Sequence, residues 1–239
     1  MKPQNIFIVR HGESEGNANK DIYLSKPDYS LLLTEKGQTQ ALEAGKILRN
    51  IIGNESISVY YSPFFRSRQT TDLLLKSFSH SQYHLDDIRE EPRLREQEWT
   101  NRIQGVLDGA EEERDLYGHF YYRFHNGESC ADVYDRVSDF FNSLHRDFLK
   151  PTQPPNVIIS SHGMTNRLFI MRWFHLTTEE FEMLSNPHNC EIWQMKLYGT
   201  KYKMVTPIRK YEYPKHNNQY PFVVEESVTQ QASTLRTLY

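Results

Sequence analysis

Ten histidines occur in the 239 residues, and two are set apart by their neighbours. His11 lies in Arg10-His11-Gly12-Glu13-Ser14, directly after the apolar run Ile6-Phe7-Ile8-Val9. His162 lies in Ser160-Ser161-His162-Gly163, directly after Val157-Ile158-Ile159. A lone histidine is more often a structural hydrogen-bonder than a reactive group. Two of them, each followed by glycine at the end of a β-rich run, can share one pocket, because open α/β sheets bind ligands outside the carboxyl ends of their strands. Arginines add charge: Arg10 abuts His11, and Arg66 opens a helix after the run Ile57–Tyr61 and Ser62-Pro63. Two guanidinium forks and a helix N-terminus suit a dianionic phosphate, which arginine grips with two parallel hydrogen bonds. Arg68, in the same segment, reads as well as a surface ion pair.

Strands and helices must alternate to bring these residues together, and the hydrophobic pattern does alternate. Short apolar runs at 6–9, 57–61 and 157–160 read as buried parallel strands. Thr34 is placed as the N-cap of a helix whose Ala41, Leu42, Gly45, Leu48, Ile51 and Ile52 recur at helical spacing up to Gly53. A second helix starts near Arg66 and carries Leu73, Leu74 and Leu75. From Ala131 to Leu149 one stripe holds Val133, Val137, Phe140, Phe141, Leu144 and Phe148, and reads as a core-facing helix. Helices are expected over about 164–174 and 177–184, with strand-like segments at 191–197 and 203–208. The fold class is therefore α/β: a mostly parallel sheet covered by helices on both faces, a three-layer sandwich. Residues from about 87 to 128 are charged and rich in Tyr and Phe, and read as a lid-like insertion. The organisation is one domain over 1–214, followed by a polar, flexible tail over 215–239.

Composition excludes several classes. With 28 Lys+Arg against 31 Asp+Glu the net charge is −3, so neither a nucleic acid nor an acidic membrane surface is an expected partner. Cys130 and Cys190 are too few for a disulfide framework. The segment MKPQNIFIVRHGES has too short an apolar run for a signal peptide, and the expected compartment is the cytoplasm, with the nucleus as the alternative. Asn54-Glu55-Ser56 matches a glycosylation acceptor by chance in that setting. Zinc-binding spacings such as HExxH are absent from the sequence, and arginines beside both histidines would repel a cation, so no metal or other cofactor is expected.

In order along the chain, these residues resemble the histidine phosphatase superfamily, the phosphoglycerate-mutase-like group. Arg10-His11-Gly12 with Glu13 and Asn17 resembles its hallmark, and Leu33-Thr34-Glu35-Lys36-Gly37-Gln38-Thr39-Gln40-Ala41 its Leu-Thr-x-x-Gly-x-x-Gln-Ala helix start. Ser62-Pro63 to Thr70 is similar to its Ser-Pro-x-x-Arg-x-x-Gln-Thr segment. Leu94-Arg95-Glu96 matches the Leu-x-Glu that supplies an acid, and Ser161-His162-Gly163 the second histidine. Further matches, Leu94 to Trp99 and Tyr121 to Arg136, resemble a branch in fungi and plants described as broad-range acid phosphatases or phosphoglycerate-mutase-like proteins. Thr100-Asn101 departs from that branch, which tends to have Gly-Asn. The resemblance implies a phosphohistidine intermediate on His11, with Arg10, Arg66 and His162 on the phosphoryl oxygens and Glu96 as proton donor. Asn17, Gly163 and Glu128 are carried over as phosphate- or substrate-binding residues.

The chemistry is consistent with those roles. A neutral imidazole attacks phosphorus and its P–N bond hydrolyses readily, dividing one hard step into two. Cations disfavour the imidazolium form and so keep His11 nucleophilic. Glu98, two residues from Glu96, is the rival acid. Glu128 and Ser129 read as pocket-lining residues, with Ser129 as a helix N-cap the other reading. Glu111-Glu112-Glu113 reads as a solvated helix face. A mutase would need extra basic residues to retain a second acidic group. The corresponding stretch, about 100–127, is instead acidic and aromatic: Asp108, Glu111, Glu112, Glu113 and Asp115, then Tyr117, Phe120, Tyr121 and Tyr122. The expected activity is a metal-independent phosphomonoesterase acting on a small phosphate monoester, with a ring-bearing or partly apolar leaving group suggested by those aromatics. A phosphoglycerate-type phosphomutase and a catalytically silent phosphate-binding or signalling module are the alternatives. The sequence leaves the oligomeric state and the particular substrate open.

Overall fold

The structure, a computed structural model, describes residues 2–78, 87–99 and 110–210. Thr100-Asn101, Asp108 and the tail over 215–239 lie outside the described residues, as do the side chains of Glu111 and Glu112. Among the described residues one sheet has six strands: β1 (Asn5–Arg10), β2 (Ile57–Tyr61), β3 (Ile88–Glu90), β4 (Asn156–Ser161), β5 (Ile192–Tyr198) and β6 (Lys201–Met204). Their order is β3-β2-β4-β1-β5-β6. The first four run parallel, and β5 pairs antiparallel with both β1 and β6, so the sheet is mixed and mostly parallel.

Strand residues point alternately to opposite faces, and here both faces are apolar. Ile6, Ile8, Tyr60, Val157 and Ile159 enter one core with Val133, Val137, Phe140, Phe141, Leu168 and Phe169. Phe7, Val9, Ile57, Val59 and Ile158 enter the other with Leu48, Ile52, Leu74 and Phe78. The first core is covered by α5 (Cys130–Phe148) and α6 (Gly163–Phe174), the second by α2 (Glu35–Ile52) and α3 (Phe65–Leu75). That is the expected three-layer sandwich. Thr34 caps α2 by accepting from the Gly37 amide, and Ser129 caps α5 in a reciprocal box with Asp132.

The remaining helices are short: a single turn α1 (Glu15–Ala18), α4 (Ala110–Tyr117) and α7 (Thr178–Met183). The stretch read as an insertion over about 87–128 does not start apart from the sheet. Ile88–Glu90 is its edge strand, paired with Val59–Tyr61, and the 3-10 turn Pro92–Leu94 follows directly. Three residues, two of them charged, carry too little alternation to be read as a strand. Phe120 likewise belongs to the main core. No helix among the described residues is long and apolar enough to cross a membrane.

Candidate active site

β1, β4 and β2 end side by side, with Arg10 opposite Ser161 and Tyr61 opposite Ser160. The residues immediately after those ends are His11, His162 and Ser62. Both histidines are buried, and their ring centroids lie 5.1 Å apart. A polar pocket of about 170 Å³ opens over them, lined by Arg10, His11, Ser14, Asn17, Lys20, Tyr23, Asp28, Arg66, Glu96, Trp99, Gly163, Met164 and Asn186. A larger open groove of about 530 Å³ runs along α2 between Lys36 and Ile47, with no motif histidine or arginine in its wall.

The His11 turn is built on a backbone-to-backbone contact. A Cβ on Gly12 would meet the Gly37 carbonyl oxygen at 2.4 Å, and one on Gly37 would meet the Glu13 carbonyl oxygen at 2.0 Å. Only two glycines facing each other let the strand end rest on the start of α2. The rest of that interface is polar, with one ion pair, Lys36 to Glu13, at its exposed edge. The Gly12 amide donates to Thr70 Oγ1, the Glu13 amide to Gln40 Oε1, the Leu33 amide to Gln69 Oε1 and the Thr34 amide to the Glu13 carbonyl. Motif residues Thr34, Gln40, Gln69 and Thr70 thus hold the loop and do not line the pocket.

His11 Nδ1 lies 2.7 Å from the Gly12 carbonyl oxygen. A carbonyl only accepts, so Nδ1 carries the ring proton and Nε2 keeps its lone pair. Burial, then the charges of Arg66 and Arg10, hold the imidazole well below its ordinary 6.5, and it is neutral at physiological pH. His162 is held down in the same way, first by burial and then by Arg66. Its Nε2 meets Ser62 Oγ at 2.7 Å, while its Nδ1 and Arg10 Nε are buried without a protein partner. Two orphaned buried nitrogens beside a cationic pocket fit an oxyanion. Gly163 leaves that approach open: a Cβ there would stand 3.6 Å from Arg10 Nε and 3.1 Å from Asn186 Oδ1. Asn17 Oδ1 accepts from Ser14 and from Asn189 Nδ2, which leaves the Asn17 amide nitrogen as the side chain's remaining donor.

Glu96 sits across the pocket at the N-terminus of α6. Its carboxylate faces the amides of Met164 and Thr165 at 3.4 Å and accepts from the Gln97 amide at 3.0 Å. Glu98 is exposed and does not line the pocket. The loop that carries Glu96 is held by Arg136 on α5, which donates to the carbonyls of Arg93, Arg95 and Glu96. The same guanidinium forms a fork with both carboxylate oxygens of Glu128. Glu128 also accepts from Arg95 Nη2 and from the Glu98 amide.

Two sequence expectations are corrected here. Glu128 is not a pocket residue; its oxygens are spent on Arg136, Arg95 and Glu98, and burial, which alone would raise its carboxyl, is outweighed by the Arg136 bonds that lower it. Nor do the aromatics of 117–124 reach the pocket: Phe120 packs against Phe181, Tyr117 and Tyr121 are exposed, and Phe124 backs Trp99 from behind. The rings in the wall are Tyr23 and Trp99. Ser62, Asp28 and Arg136 were not singled out from sequence for any role. The Pro27-Asp28 turn and a charged helix position have no periodic signature, and Ser62 was visible only as part of a Ser-Pro pair. Arg68 is paired with Glu90 and is the surface ion pair it resembled.

The mostly parallel sheet thus brings two neutral histidines and Arg10 together at its strand ends, with Arg66 in the first turn of α3 beside them. The chain belongs to the histidine phosphatase superfamily, branch 1, whose pattern it matches over residues 6–208. It is 41% identical over 213 residues to the phosphoglycerate mutase-like protein AT74H of Arabidopsis thaliana, covering 82% of this chain and 75% of that one. It is 29% identical to the broad-range acid phosphatase DET1 of Saccharomyces cerevisiae, over 82% of this chain and 86% of the other. A mycobacterial glucosyl-3-phosphoglycerate phosphatase solved with VO3 has the same fold, with a TM-score of 0.65 at 20% identity over 84% of this chain and 96% of that one.

Proposed function

We propose that the chain is a phosphomonoesterase that transfers the phosphoryl group to His11 and then to water, without a metal ion. The observation that carries this reading is the bond from His11 Nδ1 to the Gly12 carbonyl, which leaves a neutral Nε2 facing the pocket. In the first half-reaction the Nε2 lone pair attacks phosphorus and the P–O bond to the leaving group breaks. The electron pair stays on the ester oxygen, which takes a proton from Glu96. In the second, Glu96 takes a proton from water as the water attacks, the P–N bond breaks, and Nε2 regains its lone pair. Arg10 Nε and His162 Nδ1 are the donors for the equatorial oxygens, with Arg66, Asn17 and the N-terminal turn of α6 at Gly163 around them. In this reading the Ser62 hydroxyl donates to His162 Nε2, which puts the imidazole proton on Nδ1, the nitrogen left for the phosphoryl group.

The test is release of phosphate from p-nitrophenyl phosphate in EDTA by the wild type and by His11→Ala. The wild type should turn over undiminished by EDTA, and the variant should lose at least about 10³-fold. Acid-labile phosphate trapped on the wild-type protein and not on the variant would identify the intermediate. Equal rates for the two proteins would overturn the nucleophile, and loss of rate in EDTA the metal-free mechanism. Formation of 2-phosphoglycerate from 3-phosphoglycerate with 2,3-bisphosphoglycerate would identify a mutase instead.

A further inference from the structure

Of the two arginines at the pocket floor, Arg10 keeps a buried Nε without a protein partner. Arg66 is engaged. Its Nη1 donates to the Asp28 carbonyl at 2.7 Å and to Asp28 Oδ1 at 2.9 Å, and its Nη2 to Oδ2 at 3.3 Å. This is the forked grip that arginine uses on a bound carboxylate or phosphate, made here on a carboxylate of the chain itself. Pro27 sets the extended turn that delivers Asp28 from the segment between β1 and α2. The Arg66 side chain is 4% exposed, whereas that of Asp28 is 25% exposed and faces the pocket it lines.

We propose that Asp28 is a specificity-determining residue, and that it directs the site to phosphate esters of neutral, hydroxyl-bearing alcohols and against substrates with a second anionic group. The inference rests on the phosphomonoesterase reading above. The ionisable side chains in the wall are Arg10, Lys20 and Arg66 against Asp28 and Glu96, with His11 neutral. With Glu96 protonated for its role as proton donor the surplus is two positive charges, which a single phosphate dianion already balances. A carboxylate or second phosphate on the leaving group would enter beside Asp28, where the nearest guanidinium fork is already engaged. Like charges brought together in a partly buried site are strongly disfavoured. Hydroxyl groups instead bring donors that a carboxylate accepts.

Glycerol 3-phosphate and 3-phosphoglycerate form a matched pair, differing only in a hydroxymethyl group against a carboxylate. At pH 7 the wild type should favour glycerol 3-phosphate in kcat/KM by about tenfold or more, as a close like-charge pair implies. Asp28→Asn keeps the shape and one acceptor for Arg66. It should shrink that preference at least about fivefold, mainly by improving 3-phosphoglycerate. An unchanged ratio, with both substrates falling together, would overturn the proposal and reduce Asp28 to a positioning residue for Arg66. The same ratio measured as Kd by calorimetry, in His11→Ala with and without Asp28→Asn, reads the discrimination without turnover. Inert wild type on p-nitrophenyl phosphate would therefore sink the phosphatase reading, while an unchanged Kd ratio would sink this one.

Discussion

The two walls of the pocket are held in different ways. On the nucleophile side, His11 is fixed by close-packed backbone and neutral hydrogen bonds: Gly12 against Gly37, and the Gly12 and Glu13 amides on Thr70 and Gln40. On the acid side, Glu96 is fixed by an ionic clamp in which one guanidinium, Arg136, spans three carbonyls and the Glu128 carboxylate. The first arrangement tolerates no added atom, and protonation touches it only at its edge, where Glu13 pairs with Lys36. The second tolerates small changes of shape but depends on charge. A nucleophile must meet phosphorus along one line, whereas a proton donor works over a wider range of approach, and the two supports match those demands.

Substitutions that attack one wall at a time should separate these modes. Gly37→Ala places a methyl 2.0 Å from the Glu13 carbonyl oxygen, so the backbone must move. It should lower kcat/KM about 100-fold for every ester and cost about 3 kcal/mol in urea unfolding. Arg136→Ala should cost about 3 kcal/mol as well, since Glu128 is left in a buried site with a weaker partner. Its rate effect should depend on the leaving group: about 100-fold for an alkyl phosphate that needs protonation, and only a few-fold for p-nitrophenyl phosphate. Equal losses on both substrates would mean that the clamp supports the whole pocket and not the acid loop alone.

The pH axis divides the walls again. His11 and His162 are held below 6.5, so below that pH the unfolded chain binds protons that the folded one refuses. Stability should fall with decreasing pH from about 6.5, by roughly 1.4 kcal/mol per pH unit for each histidine until the folded groups titrate. His162→Asn should flatten that slope between pH 6.5 and 5.5. The Glu128 carboxyl is held below 4.5, so its increment is present above that value and lost as pH falls further. Glu128→Gln should change stability at pH 6 while removing pH dependence only below 4.5. The smallest effect is expected from Thr70→Val, which deletes the acceptor for the Gly12 amide and the donor to the Arg66 carbonyl. It should cost about 1–2 kcal/mol, read by the urea midpoint.

The nucleophile wall was legible in the sequence because its residues sit at strand ends and its struts occupy fixed offsets. Arg10-His11-Gly12, Gly37, Gln40 and Gln69-Thr70 are close in space for the same geometric reason that they recur as a pattern. Strand alternation also gave the two cores, since Ile6 and Ile8 against Phe7 and Val9 need only a period of two. The acid wall was legible only at Glu96. Arg136 reads as a polar helix position, and nothing local reveals that α5 passes beneath the loop. Glu128 was assigned to the wrong side for that reason. Asp28 was missed because its partner is 38 residues away in sequence, and a Pro-Asp turn looks the same whether its carboxylate meets water or a guanidinium.

Arg136 grips position 96 by its backbone carbonyl, not by its carboxylate. The Arg136 clamp therefore holds the loop whichever side chain stands there, and a side chain that keeps an acceptor for the Gln97 and Thr165 amides would keep the remaining contacts. A single codon change at 96 could remove or retune the proton donor while leaving fold, pocket and nucleophile intact. Descendants of such a chain can drift from turnover to mere phosphate capture, or back again, without passing through an unfolded ancestor.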